Sequence, residues 1–157
     1  MNYQCYLSTP LGWLEIVTDA HFLLKTTFIG GNRGVDSKDS PDILIESRKQ
    51  LAAYFDKKQT RFSIPLKPVG TPFQQTVWDA LVQVSFGQRM SYLALAKKLG
   101  DVKAIRAVAS ANGANPIAVI IPCHRIIGSN GQLTGYAGGL WRKEWLLDFE
   151  SGQGRLF

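Results

Sequence analysis

Cysteine is scarce in this chain: Cys5 and Cys123 are the only two in 157 residues, and His21 and His124 are the only histidines. One bridge between them would be an odd choice for an intracellular protein of this size. Two cysteines without a CxxC spacing or a histidine cluster also make a poor metal site. Cys123 is better read as a single thiol with a local context. Long apolar runs are missing as well. The start, MNYQCYLSTPLGWLEIVTD, alternates polar and apolar residues and does not resemble a signal peptide or a membrane span. The expectation is a protein that stays in the reducing cytosol and has no membrane partner.

Acids are missing from one half of the chain. Residues 86–143 contain Arg89, Lys97, Lys98, Lys103, Arg106, Arg125, Arg142 and Lys143 against a single acid, Asp101. That segment carries +7 of a total of +6, which leaves −1 for everything else. Scattered lysines and arginines ordinarily mean a solvated surface. A half-chain nearly stripped of acids points instead to a polyanionic partner, of which nucleic acid is the commonest. The remaining composition, 45% hydrophobic and 19% charged, is ordinary for a globular protein and permits one well-buried core or two small lobes.

The first third reads as β-hairpins followed by a helix. YQCYLST, WLEIVT and FLLKTTFI are rich in β-branched and aromatic residues and are separated by turn signals at Pro10-Leu11-Gly12 and Asp19-Ala20. A polar stretch from Gly30 to Ser40 is a loop. A helix is predicted from Pro41 to about Lys57, with Ile43, Leu44, Leu51 and Phe55 facing the core. RFSI is a further candidate strand, and IPLKPVG, with two prolines and a glycine, reads as a linker. The chain is therefore divided into a structural lobe, residues 1–68, and a second domain, residues 69–157.

The second domain opens with Thr71-Pro72-Phe73-Gln74, the pattern of a capping box with proline at the first helical position. Phe73, Val77, Leu81 and Val84 then repeat at helical spacing. Ser91 is placed to cap a helix from Tyr92 to Leu99 that Gly100 ends in a left-handed turn. After Asp101-Val102, a second helix is predicted from Lys103 to Asn112, ended by Gly113. Two short helices across a tight turn are the arrangement of a helix-turn-helix. The second helix is slim, with Ala104, Ala107, Ala109, Ser110 and Ala111, and Arg106 is its one long side chain near the middle. Some of these alanines pack against a core, but a slim face also suits a minor groove only about 6 Å wide.

The most informative stretch is Asn-Pro-Ile-Ala-Val-Ile-Ile-Pro-Cys-His-Arg, beginning at Asn115. Ile117 to Ile121 has the pattern of a buried strand, and Pro122 stops it and delivers Cys123 at its end. A lone cysteine after an apolar run is ordinarily an inert core residue. Here His124 and Arg125 follow at once, and an electropositive setting favours the thiolate that attacks. Adjacent side chains rarely face each other, so the histidine is expected to act through a water. A histidine serving as base needs an acid to orient it, and the C-terminal helix offers Glu144, Asp148 and Glu150 without choosing among them.

Ile-Pro-Cys-His-Arg-Ile, preceded by Ala-Asn-Gly-Ala-Asn-Pro and followed by Gly-Tyr-Ala-Gly-Gly-Leu-Trp-Arg-Lys-Glu-Trp-Leu-Leu-Asp-Phe-Glu, resembles the O6-alkylguanine-DNA alkyltransferases. The likeness is close over residues 71–157 and loose before them. It implies an α+β fold in which an RNase H-like antiparallel sheet lobe precedes a mainly helical domain with a helix-turn-helix and a short strand leading into Cys123. It also implies stoichiometric, irreversible transfer of an alkyl group from O6-alkylguanine, and from O4-alkylthymine, to Cys123 after nucleotide flipping. Double-stranded DNA bound through its minor groove is the implied partner, the protein acts as a monomer, and no cofactor is called for.

By the same resemblance, His124 is the base acting through a water, Glu150 the carboxylate that orients it, and Asn115 the brace between helix pair and active site. Tyr92 rotates the target phosphate and donates to the departing guanine. Arg106 fills the stack the base vacates, and Tyr136 shapes the guanine pocket. Ser129 and Lys143 match positions near the bound nucleotide. Some family members hold zinc in the N-terminal domain, but Cys5 has only His21 nearby, so no metal is expected. Ala137, Gly138 and Gly139 are all small, which suggests room for adducts larger than methyl.

Two rivals stand beside this reading. A cysteine hydrolase would need an oxyanion hole and turnover, to which no further element points. A non-catalytic DNA-binding or lesion-binding protein would rest on the helix pair alone and would not need the thiol.

Overall fold

The computed structural model describes residues 1–152. It divides into two compact units, each described by itself: Met1–Val69 with Pro116–Ala118, and Gly70–Asn115 with the chain from Val119 onward. The short stretch 116–118, read from sequence as part of the second domain, belongs to the first unit.

The first unit is built on an antiparallel sheet of β1 (Tyr3–Thr9), β2 (Gly12–Thr18) and β3 (Leu23–Ile29), in that order. The register pairs Cys5 with Ile16 and Leu7 with Leu14, so the alternating apolar residues of neighbouring strands meet on one face. Helix α1 (Asp42–Phe55) packs against the sheet, burying Ile43, Leu44, Leu51 and Tyr54. Tyr54, fully buried, takes the place expected for Phe55, which is only half-buried. Cys5 is a core residue, and burial pushes its thiol up to about 11.

Both outer edges of the sheet are engaged by chain that is not a strand. Along β1, Ser37 N–H donates to Gln4 O at 2.9 Å, and Ser37 Oγ accepts from Gln4 N–H at 2.7 Å. Arg48 Nε donates to Tyr6 O at 3.4 Å. Along β3, Leu23 exchanges bonds with Pro65 and Lys67, and Thr26 exchanges bonds with Pro116 and Ala118. RFSI, expected as a strand, forms none; the pairing falls instead on Leu66, inside the segment read as a linker. Prolines at 65 and 68 leave room for a single bridge and no ladder.

The second unit is mainly helical. Helix α2 (Pro72–Leu81) starts at the predicted capping box: Thr71 Oγ accepts from Gln74 N–H at 3.1 Å, and Gln74 Oε1 accepts from Thr71 N–H at 2.9 Å. Thr71→Ala should destabilise the protein by about 1 kcal/mol, read by urea unfolding; no change would mean that α2 is held by packing alone. Val77 and Leu81 are buried as expected, but Phe73 is exposed, and Trp78 fills the core in its stead. Helix α3 (Tyr92–Lys98) is capped by Ser91, whose Oγ accepts from Ala94 N–H, and the chain turns at Gly100 with φ of 95°. Helix α4 (Ile105–Gly113) begins two residues later than predicted, because Val102–Ala104 form a 3-10 turn nucleated by Asp101. Gly113 is the last helical residue and has no positive φ.

The largest departure from the sequence reading lies just before Cys123. Residues 117–121 are not a strand. Ile117 makes one isolated bridge, the chain then turns, and Val119 adopts φ of 74° although it is β-branched and 1% exposed. The run is apolar because it is buried, not because it is extended. The short strand expected to lead into Cys123 follows it instead: β5 (Ile126–Ile127) pairs in parallel with β4 (Met90–Ser91). Helix α5 (Leu140–Ser151) completes the described chain.

Candidate active site

Cys123 opens a 3-10 turn, Cys123–Arg125, that follows Pro122. Its N–H donates to Ile121 O at 2.7 Å, and Asn115 Nδ2 donates to the same oxygen at 2.7 Å. Asn115, just past the end of α4, is thus bonded to the chain that enters the turn. The β4–β5 pairing ties the other side of the turn to Ser91, the cap of α3. The thiol is therefore fixed from both sides by elements of the helix pair. Cys123 is 6% exposed.

Behind the thiol lies a buried charge array. His124 Nε2 and Glu150 Oε2 are 2.7 Å apart, and both residues are buried. Glu150 also receives Arg125, whose Nε donates to Oε1 at 2.7 Å and Nη2 to Oε2 at 2.9 Å, while Nη1 donates to Val84 O at 2.6 Å. Of the three acids on α5, Glu150 faces inward; Glu144 and Asp148 are exposed. Despite its burial, the charges and hydrogen bonds of His124 and Arg125 hold the Glu150 carboxyl well below the usual carboxylate range. Burial pushes the His124 imidazole below its ordinary value and outweighs the carboxylate beside it, whose charge Arg125 already shares. An ionised Glu150 can only accept, so a neutral His124 carries its proton on Nε2. Nδ1 then keeps a lone pair, and it has no partner among the described residues. A neutral imidazole with one nitrogen pinned and the other carrying a lone pair can act as a general base.

Arg125 was expected to lend positive charge to the thiol. Its charge is taken up by Glu150 instead, and burial raises the Cys123 thiol above its ordinary value. The resting group is therefore a thiol that needs a base, not a standing thiolate. The forces that favour ionisation are the Asn115 hydrogen bond, the Lys143 charge and the turn's own N–H. Lys143 is fully buried, with Nζ donating to Thr134 O at 2.7 Å and to Tyr92 Oη at 3.3 Å. Two of the eight cations counted toward a polyanion surface, Arg125 and Lys143, are thus interior groups.

The family described as "6-O-methylguanine DNA methyltransferase, DNA binding domain" matches residues 72–152. The methylated-DNA–protein-cysteine methyltransferase of Methanosarcina acetivorans is 41% identical over 152 residues, covering 94% of this chain and 97% of that one. The constitutive enzyme of that name from Bacillus subtilis is 40% identical over 159 residues, covering 96% of each. This chain belongs to the methylated-DNA–protein-cysteine methyltransferase family. Among solved structures of the family, the Mycobacterium tuberculosis O6-methylguanine methyltransferase superposes with a TM-score of 0.87 at 37% identity, covering 100% of this chain and 97% of that one. The M. tuberculosis OGT in complex with DNA gives 0.84 at 38% identity, covering 94% and 92%. The α+β class expected from the sequence is the class observed.

Tyr92 is buried at the start of α3, and its hydroxyl donates to Thr134 O at 3.0 Å. The Tyr136 hydroxyl is buried without a partner among the described residues, and burial followed by the nearby Cys123 raises it well above its ordinary value. Arg106 and Ser129 are exposed, on α4 and in the turn after β5. The small loop residues have a second reason beside pocket room. A Cβ on Gly138 would sit 2.8 Å from the Tyr136 ring, and Gly139 has φ of 94°. The sequence reading missed two side chains, the Arg125 clamp on Glu150 and Asn112, whose Nδ2 reaches the Cys123 carbonyl at 3.3 Å. Neither partnership has a local sequence signal.

Proposed function

We propose that this protein repairs DNA by direct reversal, taking the alkyl group from O6 of an alkylated guanine onto Cys123. The observation that carries this reading is the buried array of Cys123, His124, Glu150 and Arg125 on the turn braced by the helix pair. His124 Nδ1 accepts the thiol proton through a water. The sulfur lone pair then attacks the alkyl carbon, and the carbon–O6 bond breaks with its electrons going to the guanine, which is protonated as it leaves. Lys143, which donates to Tyr92 Oη, is the positive charge available to that leaving group, and Tyr92 becomes a donor to it once its O–H turns away from Thr134 O. The product is a thioether, which water does not hydrolyse, so each molecule acts once.

A lesion carbon inside a duplex is out of reach, so the nucleotide must be extruded at a cost of a few kcal/mol. Arg106, exposed on the slim helix α4, is suited to fill the gap from the minor groove. The exposed Lys97, Lys98 and Lys103 supply phosphate contacts. On this reading the protein works as a monomer inside the cell, and O4-alkylthymine and larger O6 adducts are further substrates. Among the described residues no helix is long and apolar enough to cross a membrane.

The test is the intact mass of the protein after incubation with a duplex carrying one O6-methylguanine, followed by peptide mapping. One methyl on Cys123, saturating at one per molecule, is expected. A lesion bound with no mass change would make the protein a recognition module whose thiol is not activated.

A further inference from the structure

The nucleophile's own carbonyl has a dedicated partner. Asn112 lies on the last turn of α4, is 1% exposed, and donates from Nδ2 to Cys123 O at 3.3 Å. Three residues on, Asn115 donates to Ile121 O, the oxygen that also accepts the Cys123 N–H. Asn112 thus holds the Cys123 carbonyl directly, while Asn115 holds the Ile121 oxygen that the Cys123 N–H also reaches, two asparagines from one stretch of chain. A carbonyl can only accept, which fixes which way the Asn112 amide points.

The rest of that amide argues against simple packing. Asn112 Oδ1 is buried and has no partner among the described residues. A buried acceptor left unpaired costs stability, a cost that a leucine of similar size would avoid. The position therefore retains an amide for its donor. The residue before it is anchored too: Trp78 Nε1 donates to Ala111 O at 2.8 Å. The end of α4 is held by Trp78 on one side and joined to the nucleophile on the other.

We propose that Asn112 is a positioning residue for alkyl transfer. Its amide sets the Cys123 peptide, and with it the direction of Sγ, relative to α4, the helix that displays Arg106. Pressing α4 against DNA then aims the sulfur. The inference rests on the alkyl-transfer reading above.

Two variants test it, N112L and N112S; the second removes the reach to the carbonyl without adding bulk and carries the test if the first fails to fold. Two rates are measured on each: methyl transfer from the O6-methylguanine duplex, and alkylation of Cys123 by iodoacetamide across pH, followed on the mapped peptide. The duplex must present its methyl group along one line, whereas the small reagent approaches from any open side. Transfer is expected to slow by about tenfold or more. The iodoacetamide rate should stay within about twofold of wild type, with an unmoved pH midpoint. Wild-type transfer in a folded variant overturns the proposal, and so do transfer and iodoacetamide rates that fall in parallel, the mark of a merely structural role. A wild-type protein that transfers nothing overturns the alkyl-transfer reading and this assignment together.

Discussion

Glu150→Gln should slow methyl transfer to Cys123 by about a hundredfold or more while destabilising the fold by about 3–5 kcal/mol. Both effects follow from one carboxylate serving two neighbours. Oε2 accepts from His124 Nε2 and Arg125 Nη2, and Oε1 accepts from Arg125 Nε. An amide has one accepting oxygen, and its NH2 would meet groups that are themselves donors. Arg125, 5% exposed, would keep its charge with no anion beside it. His124 would lose the bond that fixes its tautomer, so Nδ1 would no longer be reliably the basic nitrogen. Single-turnover transfer and urea unfolding read the two losses separately. A variant that transfers within about threefold of wild type would mean that His124 does not need Glu150 to orient it.

The same array makes stability pH-dependent, and the direction is determined. The folded Glu150 carboxyl lies below the unfolded value of 4.5, so its contribution is present above that value and drains away as pH falls toward the folded pKa. His124 acts in the same sense at higher pH. Its folded pKa lies below the unfolded 6.5, so on acidification the unfolded chain takes up a proton that the folded one refuses. Unfolding free energy should therefore decline steadily from about pH 6.5 downward, steepening below about 4.5, and Glu150→Gln should flatten the acid part of that slope.

Trp78→Ala should be the most damaging packing change, at about 3–5 kcal/mol. The indole is 2% exposed, and Gly70 lies so close beneath it that a Cβ there would overlap the ring. Its Nε1 also satisfies Ala111 O near the end of α4. Trp78→Phe, which keeps most of the volume and loses only the donor, should cost about 1–3 kcal/mol. Alanine and phenylalanine variants of equal stability would mean that the hydrogen bond, not the packing, is what holds α4.

Local signals in the sequence translated directly into structure, and non-local ones did not. The Thr71–Gln74 capping box and the Ser91 cap are visible because each is closed within four residues. The Cys123-His124 pair is visible because its chemistry lies in adjacent side chains. The partner of Arg125 lies 25 residues away, so the sequence displayed its charge but not where that charge is spent. Residues 117–121 show a different failure. An apolar run reports burial, and a buried turn with Val119 at positive φ has the same composition as a buried strand. Phe73 shares its face with the buried Val77 and Leu81 but lies in the first turn of α2, where it is exposed, whereas Tyr54 against Phe55 is a failure of phase on an otherwise sound helix. One residue turns a helix by about 100°, enough to exchange an inner for an outer position.

The chain that borders the three-stranded sheet has a consequence for the protein at high concentration. An uncovered edge strand templates pairing with other molecules, and the resulting ladder grows into aggregate. Here Ser37 and Arg48 engage β1, while residues 65–67 and 116–118 engage β3. Neither border is itself a regular strand, so neither presents a fresh edge in turn. The sheet is finished at three strands, and crowded copies meet edges already partly engaged by their own chain.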